Sequence, residues 1–239
     1  VNIPILMYHQ IEEPPPRGTT MRALIVAPKS FARQMALLRM LGYKGLSMGQ
    51  LLPYLRGEKR GKVVGITFDD GYQNNLIHAL PVLLKQGFSA TCYGVSAAIG
   101  GTNSWDVPSG IISKPLMTAP EWQSWHASGM EIGSHTRNHV DLRACTDAQA
   151  LDEIRSSRTE LEQQLGCEVQ HFCYPYGWFG PQHIQMAKEA GYLTATTTAR
   201  GRAVPGDDLY SLKRIKVARA TTLPMFAAKI LSRYEDKRG

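Results

Sequence analysis

Short apolar runs alternate with helix-patterned stretches along most of the chain, and this alternation limits the fold more than any other feature. Residues 3–8, 63–68, 89–95, 131–133, 170–173, 192–197 and 215–217 read as strands. Between them apolar side chains recur at helical spacing. Phe31, Met35, Leu38 and Leu41 share a face before Gly42, and Leu76, Leu80, Leu83 and Leu84 share one before Gly87. Pro81 marks a kink or a late start in the second of these. Further helices are expected over 120–128, 146–165, 181–190 and 223–233, the second opening on a Thr146/Gln149 capping box. Repeated strand-then-helix units predict an α/β fold with a parallel sheet. The polar, glycine-rich pieces follow the strands, and in a barrel those strand ends share one face.

Composition removes several alternatives. A chain of 239 residues buries a large core without disulfide or metal staples. Its longest apolar runs fall far short of a membrane span, so no transmembrane segment is expected. Cys92, Cys145, Cys167 and Cys173 form no CxxC pair, so any metal site falls to His, Asp or Glu. Unpaired cysteines lean towards a reducing compartment. Residues 1–8 show no basic n-region and no cleavage site, so no signal peptide is expected there. The formal charge is +7, but the charges are scattered. The one dense stretch, Arg56, Lys59, Arg60 and Lys62, contains glycines and no aromatics, which reads as a solvated loop and argues against nucleic acid. A basic surface equally suits an anionic glycan or lipid headgroup.

Four groups of residues at strand ends carry the chemistry. Thr67-Phe68-Asp69-Asp70-Gly71 places adjacent carboxylates after a buried strand. Their repulsion is costly unless a cation is bound or one is protonated; the bland alternative is a helix-capping Asp beside a surface Asp. Gly133-Ser134-His135-Thr136-Arg137-Asn138-His139 places histidines four apart, which face one cation if the segment makes a helical turn. A pair of surface histidines is the alternative. One carboxylate with two imidazoles makes a three-ligand site with open positions, suited to catalytic zinc or iron. Phe172-Cys173-Tyr174-Pro175-Tyr176-Gly177 makes a rigid turn able to aim a backbone N–H into a site. His9 ends the first strand, where a lone histidine is more often structural. His78, His126, His171 and His183 read as helix or packed residues. In the irregular loop 100–114, Trp105 and Asp106 are candidates for sugar stacking and hydroxyl binding, against a loop anchored by a buried Trp.

The combination of TFDDG, then GSHTRNH, then a Pro-Tyr-Gly turn resembles the polysaccharide deacetylases of carbohydrate esterase family 4, the NodB-homology domain. The opening MYHQI and the YPYG turn resemble its poly-β-1,6-N-acetylglucosamine deacetylase branch, where the motif order is circularly shifted. The likeness runs from about residue 3 to 217. It implies a single catalytic domain over residues 1–239 with a distorted, incomplete (β/α)7-type barrel, and a cell-envelope setting. It also implies one divalent metal ion, zinc first with Fe, Co and Ni also suitable, held by Asp70, His135 and His139. Asp69 matches the general base, and Tyr176 matches the residue whose backbone N–H helps to hold the oxyanion. The Leu-x-His motif of the larger branch is missing: Leu212-Lys213-Arg214-Ile215-Lys216 contains no histidine. His9 matches the N-terminal histidine that takes the general-acid role in the shifted branch. The third motif begins with Cys173 where the family has a base-orienting arginine; Arg214 or Lys216 is expected to supply that charge. Pro175 and Arg214 join Trp105 and Asp106 as candidate substrate contacts.

The activity so implied is metal-dependent removal of N-acetyl groups from an N-acetylglucosamine-containing polysaccharide or glycoconjugate. The alternatives are an O-acetyl esterase or a deformylase on another sugar, including a lipid-linked one. A silent glycan-binding homologue is a further rival, which the complete Asp-Asp-His-His set argues against. An iron oxygenase with the same ligand set would leave Asp69 without a role.

Overall fold

Burial at every position of Val63–Phe68 marks a strand covered on both faces, and it is the staple of a ring. The computed structural model describes residues 2–237. Its strands are β1 (Ile5–Tyr8), β2 (Gln10–Ile11), β3 (Ile25–Val26), β4 (Lys44–Leu46), β5 (Val63–Phe68), β6 (Thr91–Gly94), β7 (Glu131–Ser134), β8 (His171–Cys173), β9 (Thr194–Arg200) and β10 (Leu212–Lys216). Strands β5 to β10 follow one another in parallel, and β1 lies between β10 and β5. Seven parallel strands therefore close a barrel. β2 and β3 form a separate small ladder beside it. The helices are α1 (Pro28–Met40), α2 (Met48–Leu55), α3 (Leu80–Gln86), α4 (Ala119–Ala127), α5 (Asp147–Leu165), α6 (Pro181–Glu189) and α7 (Leu223–Leu231). No helix among the described residues is long and apolar enough to cross a membrane.

One edge of β5 serves two partners. Its first half pairs with β4 and its second half with β1, with Leu46 and Ile5 both in register with Gly65. The unit β4–α2 has no strand-like apolar run in the sequence, because β4 is Lys-Gly-Leu. Its glycine is demanded by packing: a Cβ on Gly45 would lie 2.6 Å from the Phe88 ring. Ser47 then caps α2 by accepting from the Gln50 N–H. Pro81 sits in the first turn of α3, where its missing N–H costs nothing. A π-helical turn, Asn75–Ala79, leads into it.

Between the sheet and its helices lies the main apolar core, with Tyr8, Phe31 and Phe68 in mutual ring contact and Trp125 edge-on to Phe68. The Tyr8 hydroxyl donates to Gln34 Oε1 at 2.7 Å, so its buried polar end is satisfied. A second cluster of Ile3, Ile5, Leu51, Tyr93 and Leu212 plugs the barrel at the strand N-termini. The opposite end is left open, and there the polar residues collect.

Candidate active site

Asp69 and Asp70 leave β5 together and part at once. The Asp69 N–H still bonds the Tyr8 carbonyl at 3.0 Å, extending the β1–β5 ladder. Asp70 turns into the left-handed region at φ 76°, followed by Gly71 at 77°. Gly71 has no room for a side chain, since a Cβ there would stand 2.7 Å from the Trp122 ring. The turn sends the two carboxylates to different partners, which removes their mutual repulsion.

Asp70 Oδ1 stands 3.4 Å from His135 Nε2 and 3.3 Å from His139 Nε2. All three residues are buried. Ligand atoms about 2.0–2.1 Å from a tetrahedral zinc lie about 3.3 Å from each other, so this triad has the spacing that such an ion requires. The remaining ring nitrogens fix the orientation. His135 Nδ1 is 2.7 Å from the Cys173 carbonyl and therefore carries the proton, leaving Nε2 free to ligate. His139 Nδ1 is 3.2 Å from the Tyr176 hydroxyl. Burial would raise the Asp70 carboxyl, but the nearness of the His135 and His139 imidazoles outweighs it and holds Asp70 well below the usual carboxylate range. The donor set fits a divalent ion.

The two histidines do not converge through a helical turn, as their spacing suggests. Thr136 and His139 adopt left-handed conformations, at φ 64° and 55°, and the segment is an irregular loop. An acid from α5 holds it: Glu153 accepts from the Arg137 and Asn138 N–H groups at 2.9 and 2.8 Å and from Asn138 Nδ2 at 2.6 Å. Glu153 lies on the buried face of its helix beside Ala150, Ile154 and Ser157. A charged residue on that stripe is the sequence signal that would have revealed it.

Asp69 meets a guanidinium. Arg214 Nη1 and Nη2 donate to its two oxygens at 2.6 and 2.8 Å, a bidentate pair. Arg214 is 1% exposed and Asp69 2%. Arg214 Nε donates to the Thr197 carbonyl, Nη1 also to Thr67 Oγ1, and Nη2 lies 3.2 Å from Cys173 Sγ. The fork is thus satisfied as well as paired. Burial pushes the Asp69 carboxyl up, but Arg214 outweighs it and keeps Asp69 ionised below its ordinary range. Cys173 leaves the space at the end of β8, and Arg214 from β10 fills it. It stands behind Asp69 and does not line the cavity, so it is not placed to touch substrate.

His9 Nε2 is 3.9 Å from Asp69 Oδ2 on the other side. Burial lowers the imidazole's proton affinity, and the two carboxylates only partly restore it. Tyr176, at φ 59°, forms the crest of the Pro-Tyr-Gly turn and contacts the His139 ring edge-on. Pro175 is buried beneath that turn and does not line the cavity. Trp105 stacks on the His139 ring at 4.6 Å, so one of its faces is occupied by protein rather than open to a sugar. Asp106 lines the cavity and accepts from Asn103 Nδ2 at 3.0 Å. His9, Asp69, Asp70, His135, His139 and Tyr176 all open onto one cavity of about 650 Å³.

The chain matches a family model described as polysaccharide deacetylase over residues 56–195. It is 30% identical over 232 residues to YxkH of Bacillus subtilis (strain 168), a candidate polysaccharide deacetylase by name, covering 96% of this chain and 76% of that protein. It is 27% identical over 267 residues to the poly-beta-1,6-N-acetyl-D-glucosamine N-deacetylase of Escherichia coli (strain K12). That match covers 95% of this chain but only 38% of the E. coli protein. Among solved structures, Streptococcus pyogenes deacetylase PplD, in complex with acetate, superposes with a TM-score of 0.83 at 28% identity, covering 96% of this chain and 98% of that one. IcaB from Ammonifex degensii has the same fold, with a TM-score of 0.83 at 24% identity and 97% of each chain covered.

Proposed function

The chain belongs to the polysaccharide deacetylase family, and from that premise we propose that it is a metal-dependent hydrolase of N-acetyl groups on an N-acetylglucosamine-containing glycan. The observation that carries the reading is the division of labour between adjacent carboxylates. Asp70 stands with His135 and His139, while Asp69, though within 4.8 Å of a His135 ring nitrogen, is bound at both oxygens by Arg214. A hydrolase needs both a metal ligand and a base that stays off the metal. The relatives named as poly-beta-1,6-N-acetyl-D-glucosamine N-deacetylases support the choice of sugar.

A divalent ion held by Asp70, His135 and His139, zinc being the first choice, would acidify a water molecule and polarise the acetyl carbonyl. Asp69, ionised and fixed by Arg214, takes the proton from the attacking water. The Tyr176 backbone N–H offers a hydrogen bond to the oxyanion, a donor worth about 3 kcal/mol in comparable sites. His9, across from Asp69, delivers a proton to the departing amine nitrogen. Acetate and a free amino sugar result. The step requires Asp69 ionised and His9 protonated when the amine departs, the latter against the burial that lowers the imidazole's proton affinity.

The test is acetate release from N-acetylglucosamine oligomers by metal-stripped protein, then with Zn, Fe, Co or Ni restored. Activity that vanishes on stripping and returns with metal is expected. Bound metal without acetate from any oligomer would refute the substrate. The His9 role has its own check. His9→Ala is expected to slow amide hydrolysis about 10²-fold or more. An activated acetate ester, whose leaving group needs no proton, should lose much less. Equal losses on both substrates would remove His9 from the acid role.

A further inference from the structure

The cavity is electrically lopsided. Its acidic groups, Asp69, Asp70 and Asp106, follow β5 or lie in loop 100–114. Its cations come from other elements, Arg200 from β9, Lys216 from β10 and Lys229 from α7. Arg200 and Lys229 share one buried carboxylate, Glu235, so this trio keeps a positive excess. Lys216 is exposed and makes no ion pair among the described residues. It lies two residues beyond Arg214 on β10, so both side chains point to the same face of the strand.

The positive charge continues around the mouth. The Arg219 N–H bonds the Ala23 carbonyl at 2.9 Å, tying the segment after β10 to the loop before β3. The residues on either side, Ala218, Ala220, Met21 and Leu24, line the cavity. Arg22 and Arg219 flank this tie, and Arg17 lies in the same loop, close enough for its charge and that of Arg219 to bear on Arg22. Arg17 and Arg219 have no carboxylate partner among the described residues. Like charges collected without counter-ions beside a cavity favour an anion from outside.

Position decides which part of a ligand this wall meets. Lys216 is in register with Met7, and Met7 with Thr67, two residues before Asp69. Two strand spacings separate Lys216 from Thr67, on the order of 10 Å. Lys216 stands two residues, roughly 7 Å, nearer the strand C-termini than Arg214, whose guanidinium reaches Asp69, so it lines the cavity on the mouth side of that carboxylate. From this arrangement we infer that the substrate is an anionic glycan, with a phosphate or carboxylate group next to the N-acetylated sugar that Lys216 and the arginine rim hold. The inference rests on the deacetylase reading and narrows its substrate.

Binding and turnover separate the two. The probes are neutral N-acetylglucosamine oligomers, oligomers of equal length alternating with glucuronic acid, and oligomers carrying 6-phosphate groups. At low ionic strength the protein should bind at least one anionic series roughly tenfold more tightly than the neutral one, the scale of one or two partly exposed ion pairs. The preference should shrink as salt rises. The series that is preferred tells phosphate from carboxylate. In Lys216→Glu the ratio of anionic to neutral affinity should fall below one, and in Lys216→Gln it should lie between. Both changes are at an exposed position, and an unaltered Tm would confirm folding. Equal affinity for all three series, or a ratio unmoved in Lys216→Glu, overturns the inference. So does tight binding to phosphatidylglycerol vesicles with no preference among the glycans, which would assign the rim to a membrane surface. If no series yields acetate, the deacetylase reading fails, and the affinity ratios still decide the character of the wall.

Discussion

Asp69→Asn is expected to reduce acetate release by about 10³-fold or more, the loss of a general base together with the charge it carries. Metal should remain bound, because the three donors of Asp70, His135 and His139 do not include Asp69. Steady-state kinetics and metal analysis of the same preparation check both halves. Full activity would sink the assignment of the base. Loss of metal would mean that the two carboxylates are not independent. The amide still accepts a hydrogen bond from Arg214 but leaves that guanidinium without a counter-charge, so a lower Tm accompanies the kinetic loss.

Arg214→Met should be the more damaging substitution for stability. It removes the partner of a carboxylate that is 2% exposed. Breaking a buried pair from one side costs about 3–5 kcal/mol, read by denaturant unfolding. Adding Asp69→Asn to Arg214→Met should recover part of that loss, because the stranded charge is gone, and a double-mutant cycle measures the coupling. The pH dependence has a definite sign. With Arg214 present, the Asp69 pKa is depressed in the folded state. The pair's contribution is then fully present above the unfolded pKa of Asp69 and is lost as pH falls through the folded one. Without Arg214, burial governs and raises the carboxyl. The acid limb of kcat/KM should therefore move to higher pH in Arg214→Met, whereas a merely loosened fold would lower activity at every pH alike.

The Asp70, His135 and His139 group and the adjacent Asp69 were legible because they sit in two short, ordered segments directly after apolar strands. The strands β5, β7 and β8 were legible for the same reason, since each ends in a recognisable polar turn. The unit β4–α2 was not, since a three-residue strand around Gly45 offers no periodicity, and its shape is set by the distant Phe88. The means by which His135 and His139 converge was also hidden. Their i, i+4 spacing invites a helix, yet Glu153 on α5 bends the loop through a long-range contact. Trp105 was visible as a functional aromatic, but its stacking on His139 depends on where loop 100–114 folds back. Arg214 was legible only as one of two nearby cations. Which of them reached Asp69 depended on position along β10: the two share one face, with Arg214 deeper in the barrel and Lys216 nearer its mouth.

Closure of the ring by its last strand has a consequence for synthesis. Every metal donor has left the ribosome by His139, and the turn that carries Tyr176 follows soon after. The guanidinium that sets Asp69 arrives only with β10, which must insert between β9 and β1 to deliver it. A nascent chain can thus display the metal donors while its base remains unset. On the proposed mechanism, hydrolytic competence begins only when the first and last strands meet, so the same pairing that completes the barrel also arms it.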